Sequence, residues 1–233
     1  MTDHLDPVAE RKRAAARAAS ELLRDGMRVG LGTGSTVAYL LEAIVDRRLD
    51  VVGVPTSEAT QAACRELGIE VRTPSEVGTL DLAIDGADEL DDTLTATKGG
   101  GGALLREKVV ARMAARFVLI ATTDKIVPLL GDSFPLPVEV VPFAVGPVTR
   151  WMTERGYDVT LRSAGGGPAV ITDNGNHLLD ARMPGGIQDP AVEDLWFAQV
   201  PGVVTSGLFV EMAERAFVAD EDGQVRELMP SWR

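Results

Sequence analysis

Four ionisable side chains that lie close together in the sequence are of the types that proton-transfer chemistry requires. Asp85 and Asp88 supply two carboxylates, Lys98 follows ten residues later, and Glu107 lies nine residues beyond the lysine. Carboxylates and amines act as general acids and bases, and an ammonium group stabilises negative charge as it develops. This stretch is therefore predicted to form a centre that transfers protons and stabilises an anion.

Four consecutive glycines, residues 99–102, follow the lysine directly. Glycine loses more conformational freedom on folding than any other residue, so a run of four is costly in a helix or a strand. A stable chain that contains such a run is expected to use it where the backbone approaches another group closely. The peptide N–H groups of Gly99, Gly100 and Gly101 are predicted to bind a ligand near the developing charge.

A second glycine-rich segment, residues 30–36, connects a predicted strand over 27–31 to a predicted helix over 37–45. A turn of this kind presents unpaired backbone N–H groups, two hydroxyl groups and the positive end of a helix dipole to an anion. The predicted phosphate-binding residues are Gly32, Thr33, Gly34, Ser35 and Thr36.

This second segment is not a nucleotide-binding signature. No Gly-Lys-Ser/Thr follows it as in a Walker loop, and Gly30, Gly32 and Ser35 match only part of the dinucleotide pattern. A tight turn with a capped helix and no ligand remains an alternative at this point. Ser57 and Thr60, which follow the next predicted strand, could face this turn or simply cap the helix that they begin.

Alternating strands and helices predict the framework that positions these groups. Beyond a helix over 7–23, the sequence predicts strands at 27–31, 51–55, 69–71, 80–84 and 117–121, separated by helices. This order is typical of an α/β fold with a Rossmann-like parallel sheet and helices on both faces, in which ligands bind at the carboxyl ends of the strands. Asp85 and Lys125 each follow one of these strands, which makes Lys125 a further candidate cation.

The pattern changes after residue 132. Short strands and two helices between 136 and 198 predict a smaller inserted α+β domain with an antiparallel sheet. The predicted domains are a Rossmann-like catalytic domain, residues 1–132 and 206–233, and a small α+β lid domain, residues 133–205. The segment 203–209 is expected to rejoin the first sheet, and residues 216–226 are expected to form a closing hairpin.

Composition limits the classes of partner. The net charge of -12 and the pI of about 4.6 argue against nucleic acid, because binding to phosphate backbones depends on clustered Lys and Arg. No apolar run approaches the roughly 20 residues of a membrane-spanning helix, and the first residues are acidic and polar, unlike a signal peptide. The sequence therefore predicts a cytoplasmic protein that binds neither nucleic acid nor membrane.

Thiol and metal chemistry are not indicated. The single cysteine, Cys64, lies in a helical pattern, which favours a small core residue over a nucleophile. His4 and His177 are distant in sequence from each other and from the glycines, so no metal-ligand spacing is present. No metal site is predicted.

A phosphate site, a lysine and paired carboxylates together suit proton transfer on a phosphorylated sugar. An aldose–ketose isomerase needs a base that carries a proton between C1 and C2 and a second acid/base group for the oxygens. It also needs positive charge or N–H donors for the enediolate. Glu107, Asp85, Asp88 and Lys98 supply those types.

Several segments resemble the A-type ribose-5-phosphate isomerase family, in the same order and over nearly the whole chain. They are Gly32-Thr-Gly-Ser-Thr36, Asp85-Gly-Ala-Asp-Glu89, Lys98-Gly-Gly-Gly101 with Arg106-Glu-Lys108, Phe134-Pro-Leu-Pro-Val-Glu139, Thr172-Asp-Asn-Gly-Asn176 and Pro201-Gly-Val-Val204. The chain departs from that family's pattern at Gly102, where alanine is common, and at Leu105, where threonine is common.

The resemblance implies a role for each candidate. Glu107 is the base that moves the proton between C2 and C1, Asp85 assists opening of the furanose ring, and Lys98 and Asp88 orient and stabilise the open-chain oxygens. The implied ligands of the phosphate or neighbouring hydroxyls are Thr33, Ser35, Thr36, Lys125 and Lys12, with Arg11 or Arg13 as alternatives to Lys12. A homodimer or homotetramer without a metal or an organic cofactor is also implied.

Two other classes of function remain open at this point. A non-catalytic sugar-phosphate-binding module would keep the phosphate site without needing Glu107, Asp85 and Lys98 together. A related enzyme of the same fold, such as a sugar-phosphate deaminase or a coenzyme A transferase, would use other groups. A deaminase is expected to carry a catalytic histidine, and neither His4 nor His177 is placed for that.

Overall fold

A computed structural model of the chain describes residues 6–231. Its helices are α1 Pro7–Ser20, α2 Ser35–Asp46, α3 Glu58–Glu66, α4 Pro74–Val77, α5 Leu104–Met113, α6 Val145–Glu154 and α7 Pro190–Gln199. Its strands are β1 Arg28–Leu31, β2 Val52–Pro55, β3 Glu70–Val71, β4 Leu82–Gly86, β5 Glu89–Leu90, β6 Ala96–Thr97, β7 Phe117–Thr122, β8 Leu136–Val140, β9 Asp158–Leu161, β10 His177–Arg182, β11 Val203–Ser206, β12 Leu208–Phe209, β13 Arg215–Ala219 and β14 Val225–Leu228. Short 3₁₀ turns lie at Thr123–Lys125 and Pro142–Ala144.

Packing divides the described chain into two compact units. The first contains residues 6–87, 107–125 and 212–231, and the second contains residues 88–106 and 126–211. Within residues 6–231, no helix has both the length and the hydropathy needed to cross a bilayer.

The first unit is built on a seven-stranded sheet with the order β14-β13-β7-β4-β1-β2-β3. Neighbouring strands are parallel except for β14, which pairs antiparallel with β13. The predicted Rossmann-like sheet and the predicted hairpin at its edge are therefore confirmed. Because the strands are parallel, the segments that leave the carboxyl ends of β1, β4 and β7 all start from one edge of the sheet.

Helices cover both faces of this sheet. Val29 and Leu31 of β1 belong to a buried cluster with residues of α1 and α2. Gly30 points to the opposite face, since side chains alternate along a strand. A Cβ built on Gly30 would lie 2.4 Å from Cγ1 of Val110 in α5, so the glycine allows that helix to pack closely on the strand.

The first helix owes its position to small residues. Asp6 caps it by accepting a hydrogen bond from the N–H of Val8 at 3.2 Å. Ala15, Ala16 and Ala19 are fully buried, and the helix contacts α2, β7 and β13. An alanine face allows close approach of a helix, and it leaves the charged side chains of the first turns on the remaining surface.

The second unit contains two sheets. A four-stranded sheet has the order β11-β8-β10-β9 and is antiparallel throughout, as the sequence predicts for the smaller domain. A three-stranded sheet, β12-β6-β5, is also antiparallel. The apolar core of this unit joins one face of the larger sheet to α6 and α7, with Tyr157 and Phe197 among its largest buried side chains.

The predicted return of residues 203–209 to the first sheet is wrong. β11 pairs with β8, and β12 pairs with β6, so both strands belong to the second unit. The strand that joins the first sheet is β13, beside β7. An apolar segment of this length shows that a strand forms, but its partner is decided by contacts distant in sequence.

The packing units also differ from the predicted domain bounds. Residues 88–106, 126–132 and 206–211 pack with the second unit, whereas the predicted bounds place them in the catalytic domain. The reason is the sheet of β5, β6 and β12, whose strands have only two residues each and show no recognisable periodicity.

Candidate active site

The predicted phosphate cradle lies between β1 and α2 in the first unit. Gly34 precedes the helix with a φ of 116°, a value that favours glycine. Because glycine has no side chain, the first turn of α2 has no side-chain cap. Gly34 and Ser35 are exposed, and Thr36 is half-buried. An uncapped helix start with exposed N–H groups can bind an anion.

The cradle is braced by a cluster of hydroxyl groups. Oγ1 of Thr33 lies 2.8 Å from Oγ1 of Thr56 and donates to Oγ of Ser57 at 2.8 Å. Oγ1 of Thr60 donates to the carbonyl oxygen of Gly32 at 2.9 Å, while the N–H of Thr60 donates to Ser57. Ser57 therefore caps α3, and the hydroxyls of both Ser57 and Thr60 support the cradle. The Thr33 hydroxyl is directed into this cluster, so its structural role here is that of a brace.

Asp85, near the end of β4, contacts the cradle directly. Its side chain is buried, and Oδ1 accepts hydrogen bonds from the N–H of Thr33 at 3.1 Å and of Gly86 at 2.7 Å. A Cβ built on Gly32 would lie 2.0 Å from the same oxygen. A glycine is therefore required at position 32 by the carboxylate that packs against it.

Lys12 is the residue of the first helix that reaches the cradle. Its Nζ donates to Oγ of Ser35 at 2.8 Å. Arg13 is engaged elsewhere, because it pairs with Glu42 at 3.2 Å and its guanidinium carbon lies 5.0 Å from the centre of the Tyr39 ring. Of the alternatives that the sequence leaves open, these contacts favour Lys12 over Arg13.

Lys125 and Arg11 form a second cationic group of the first unit. Nζ of Lys125 lies 3.9 Å from Oδ2 of Asp124, in the turn that follows β7. Burial tends to raise the pKa of Asp124, but a hydrogen bond from Thr122 and the charges of Lys125 and Arg11 outweigh it and lower that pKa. Arg11 is therefore close enough to act on this turn electrostatically, and Asp124 is ionised at neutral pH.

Glu107 lies in the first turn of α5. Only 4 % of it is exposed, whereas Val109, two residues later in the helix, is 43 % exposed. A carboxylate in the first turn of a helix is stabilised by the helix dipole. Arg106, the preceding residue, anchors the start of this helix by donating to Oδ1 of Asn174 at 3.0 Å and to the carbonyl of Asp173 at 2.7 Å.

Lys98 directly follows the short strand β6 in the second unit. Its N–H donates to the carbonyl of Gly207 at 2.9 Å, and only 2 % of the residue is exposed. Nζ lies 5.4 Å from the centre of the Phe209 ring, within the range of a cation–π contact. The backbone of Lys98 is therefore held by the sheet and its side chain rests on an aromatic face.

Asp88 and the glycine run also belong to the second unit. Oδ2 of Asp88 accepts a hydrogen bond from the N–H of Gly100 at 2.7 Å, and a Cβ on Gly100 would lie 2.4 Å from Oδ1. Gly99 has a φ of 100°, and a Cβ there would lie 2.8 Å from Cβ of Leu104. Gly99 and Gly100 therefore both exclude a larger residue. Gly101, the next residue towards α5, is exposed.

Glu89 has a structural role that the sequence does not reveal. It is fully buried, and its Oε1 accepts hydrogen bonds from the N–H groups of Ser133 and Phe134 at 2.8 and 2.7 Å. Its Oε2 accepts from the N–H of Gly131 at 2.6 Å. Of the three acidic residues in this stretch, Glu89 thus holds a loop.

Arg162 and Glu139 are further residues whose contacts do not follow from the sequence, although Glu139 ends one of the segments that resemble the family. Oε1 of Glu139 accepts hydrogen bonds from Thr172, Asn174 and Asn176, whose loop contacts Arg106. Arg162 contacts the glycine run through its guanidinium. Neither a single glutamate in a strand nor a single arginine just after one carries a local signal of these contacts.

The remaining candidates show no catalytic arrangement in residues 6–231. No three His, Cys, Asp or Glu side chains of that part converge as metal ligands. Nδ1 of His177 lies 3.0 Å from the carbonyl oxygen of Val170, within a hairpin, and His4 lies outside the described residues. Cys64 is fully buried, and burial raises the pKa of its thiol to about 11, which disfavours the nucleophilic thiolate.

A family model for ribose 5-phosphate isomerase A (phosphoriboisomerase A) matches residues 52–223. Ribose-5-phosphate isomerase A of Thermomicrobium roseum is 48 % identical over 216 residues, which are 91 % of this chain and 91 % of the relative.

Solved structures agree with the sequence matches. A D-ribose-5-phosphate isomerase in complex with phospho-erythronic acid has a TM-score of 0.91 and 35 % identity, covering 95 % of this chain and 99 % of that chain. Ribose 5-phosphate isomerase A of Methanocaldococcus jannaschii has a TM-score of 0.88 and 37 % identity, covering 94 % and 98 % of the two chains. The likeness therefore extends over both packing units.

Proposed function

This chain belongs to the ribose 5-phosphate isomerase A family and catalyses ribose 5-phosphate isomerisation, and we propose that Glu107, Asp85, Asp88 and Lys98 carry out that reaction. The reaction interconverts D-ribose 5-phosphate and D-ribulose 5-phosphate, a step in the non-oxidative branch of the pentose phosphate pathway. It needs no change in the oxidation state of the enzyme, only movement of protons within the sugar.

The phosphate group is bound by the cradle and its lysines. Gly32, Gly34, Ser35 and Thr36 offer backbone N–H groups or hydroxyls at the start of α2. Lys12 supplies a positive charge beside Ser35, and Lys125 supplies another at the end of β7. Thr33 contributes by holding Asp85 and the neighbouring hydroxyl cluster.

Ring opening precedes proton transfer on the carbon chain. Asp85 acts as the acid/base group for the furanose, carrying the proton of the O1 hydroxyl to the ring oxygen as the bond between C1 and that oxygen breaks. The product is the open-chain aldehyde. The carboxylate of Asp85 is oriented for this step by the hydrogen bonds that it accepts from the N–H groups of Thr33 and Gly86.

Glu107 then transfers a proton between two carbons. Its carboxylate removes the proton from C2, the electron pair of that bond forms the C1–C2 double bond, and the C1 carbonyl oxygen becomes negatively charged. A proton is then returned to C1, and the proton of the C2 hydroxyl passes to the negatively charged C1 oxygen, so that C1 becomes a CH₂OH group and C2 becomes the ketone. Lys98 and the N–H groups of the glycine run stabilise the enediolate between these steps, and Asp88 orients the hydroxyls.

One observation carries this assignment more than any other. Asp85, Lys98 and Glu107 are each at most 4 % exposed. Charged side chains are seldom buried to that extent unless they are paired or functional, and acid/base residues in enzymes are typically found in such surroundings. A module that only binds a sugar phosphate has no need of three such groups.

The assay that tests the proposal uses ribose 5-phosphate and ribulose 5-phosphate with the native chain in deuterium oxide. We expect interconversion in both directions and incorporation of solvent deuterium at the transferred position, because a base-bound proton can exchange. Phospho-erythronic acid carries a phosphate and a planar, negatively charged carboxylate, and it resembles the enediolate in both respects. It is therefore expected to inhibit competitively. An inactive native chain would contradict the proposal and favour a binding module.

Replacement of Gly32 by Ala is expected to lower kcat by about 10²-fold. The new Cβ would lie 2.0 Å from Oδ1 of Asp85, so the carboxylate must move, and misplacement of a reacting group by about 1 Å costs on this order. Steady-state kinetics with ribose 5-phosphate measures the change. Gly146→Ala is the control, since a Cβ there meets nothing within 4 Å; equal kinetics for the two variants would contradict the role of the Gly32–Asp85 contact.

Location and assembly are proposed on the basis of the family. A metabolic enzyme of this kind is expected to act in the cytoplasm on a free sugar phosphate and to form a homodimer or homotetramer. Sedimentation equilibrium of the purified chain tests the assembly, and a monomer at micromolar concentration would contradict it. Of the alternative activities, a histidine-dependent deaminase is not supported by His177, whose Nδ1 lies next to a backbone carbonyl.

A further inference from the structure

The four-stranded sheet of the second unit uses its two faces differently. Leu136, Val138 and Val140 of β8 point into the apolar core of that unit. Pro137 and Glu139 alternate with them and therefore point to the other face. A Cβ built on Gly99 would lie 3.2 Å from Cβ of Pro137, so the glycine run lies against this second face.

Arg162, just after β9, binds the glycine run from this face. Its Nη1 donates to the carbonyl oxygens of Gly99 at 2.9 Å and Gly100 at 3.0 Å. Its Nε and Nη2 donate to the two carboxylate oxygens of Asp180 at 2.9 and 2.5 Å. Its side chain is 15 % exposed, so the guanidinium is held on both sides with little access for water.

The two bonded carbonyls determine where the neighbouring N–H groups point. No cis peptide bond occurs in the described chain, and in a trans peptide the C=O of one residue is antiparallel to the N–H of the next. The N–H groups of Gly100 and Gly101 therefore point away from Arg162. The first of them donates to Oδ2 of Asp88 at 2.7 Å, as this geometry requires.

We propose that Arg162, braced by Asp180, is a positioning residue for the isomerisation. It holds the Gly99 and Gly100 carbonyls so that the N–H of Gly100 orients the Asp88 carboxylate and the N–H of Gly101 faces the negatively charged oxygen of the enediolate. The Asp180 carboxylate offsets the guanidinium charge, so Arg162 acts through geometry. This inference rests on the proposed roles of Asp88 and the glycine N–H groups.

The test compares Arg162→Gln and Arg162→Lys with the native chain. Glutamine cannot bridge two carbonyls and a carboxylate, and lysine lacks the planar fork, so kcat is expected to fall about 10- to 100-fold for Gln and less for Lys. The KM for ribose 5-phosphate and inhibition by inorganic phosphate are expected to change less than about twofold, because the phosphate-binding residues belong to the first unit.

Arg155→Gln is the matched control. Arg155 makes a comparable paired contact in the second unit, with Nε and Nη2 each 2.9 Å from the carboxylate of Glu193. Its replacement is expected to change stability without changing kcat. The free energy of unfolding in urea is measured for all variants, so that a loss of folded protein is separated from a loss of kcat.

Asp180→Asn keeps the test decisive if Arg162→Gln does not fold. On its own it is expected to lower kcat with little change in KM, and native kcat in this variant would then count against the inference. Where Arg162→Gln folds, the double variant is expected to be no slower than Arg162→Gln alone, because both changes release the same contact. Native kcat in Arg162→Gln, or a loss confined to KM, would overturn the inference. These outcomes leave the proposed function intact as long as the native chain isomerises ribose 5-phosphate.

Discussion

Glu107→Gln is expected to lower kcat for ribose 5-phosphate isomerisation on the order of 10²- to 10⁴-fold or more. The amide keeps the shape of the side chain and its place in the first turn of α5, but it cannot accept a proton from carbon. Only 4 % of the residue is exposed, so a base from solution cannot reach this position and substitute efficiently. The loss is therefore expected in kcat, with a smaller change in KM.

Solvent exchange distinguishes this loss from a general defect. In deuterium oxide, the variant is expected to lose exchange at the transferred carbon position in parallel with turnover, whereas phosphate inhibition is retained. Glu66→Gln, at an exposed carboxylate in α3 of the same unit, serves as the control and is expected to be as active as the native chain. Native-like turnover of Glu107→Gln would remove Glu107 from the role of base and leave the family assignment in place.

The parts of the site that the sequence predicts are those with a local signature. The segment from Gly30 to Thr36 combines a strand end, a turn that needs glycine and a helix start within seven residues, and the structure has each of them. Asp85 is predicted at the end of a strand because the apolar run before it is unambiguous. Such features depend on neighbours in sequence, and hydrophobic pattern and turn chemistry are sufficient to identify them.

The parts that sequence reasoning misses depend on distant contacts. Arg162 reaches the glycine run across about 60 residues of sequence, and Glu89 binds a loop more than 40 residues away. The two-residue strand β6 lies between β5 and β12, whereas residues 203–206 pair with β8, so the segment 203–209 finds its partners outside the predicted sheet. Neither an isolated charge nor a two-residue strand carries information about its partner.

The glycine run shows how the structure changes an interpretation. From the sequence, four glycines suggest a backbone that is free to approach a ligand. In the structure three of the four glycines are constrained: Gly99 and Gly102 by positive φ values of 100° and 83°, and Gly100 by the carboxylate of Asp88. The run is therefore a turn with a constrained backbone, and the carbonyls of Gly99 and Gly100 are held by Arg162.

Glu89→Gln is expected to destabilise the protein on the order of 3 kcal/mol. The carboxylate accepts hydrogen bonds from three backbone N–H groups, of Gly131, Ser133 and Phe134, and it is fully buried. An amide presents its own NH₂ to at least one of these donors, so one buried donor loses its acceptor and the charge-assisted bonds are weakened. For a chain of this size that loss corresponds to a fall in Tm of about 6–12 °C.

Urea unfolding followed by circular dichroism measures the effect, and Glu154→Gln provides the comparison. Glu154 is an exposed carboxylate at the end of α6 in the same unit, so the same chemical change there is expected to alter stability by less than about 0.5 kcal/mol. Because Asp88 precedes Glu89 directly, a loosened loop is also expected to lower kcat at temperatures where the variant remains folded. Equal unfolding midpoints for the two variants would show that Glu89 does not hold this loop in solution, and a reduced kcat would then need another cause.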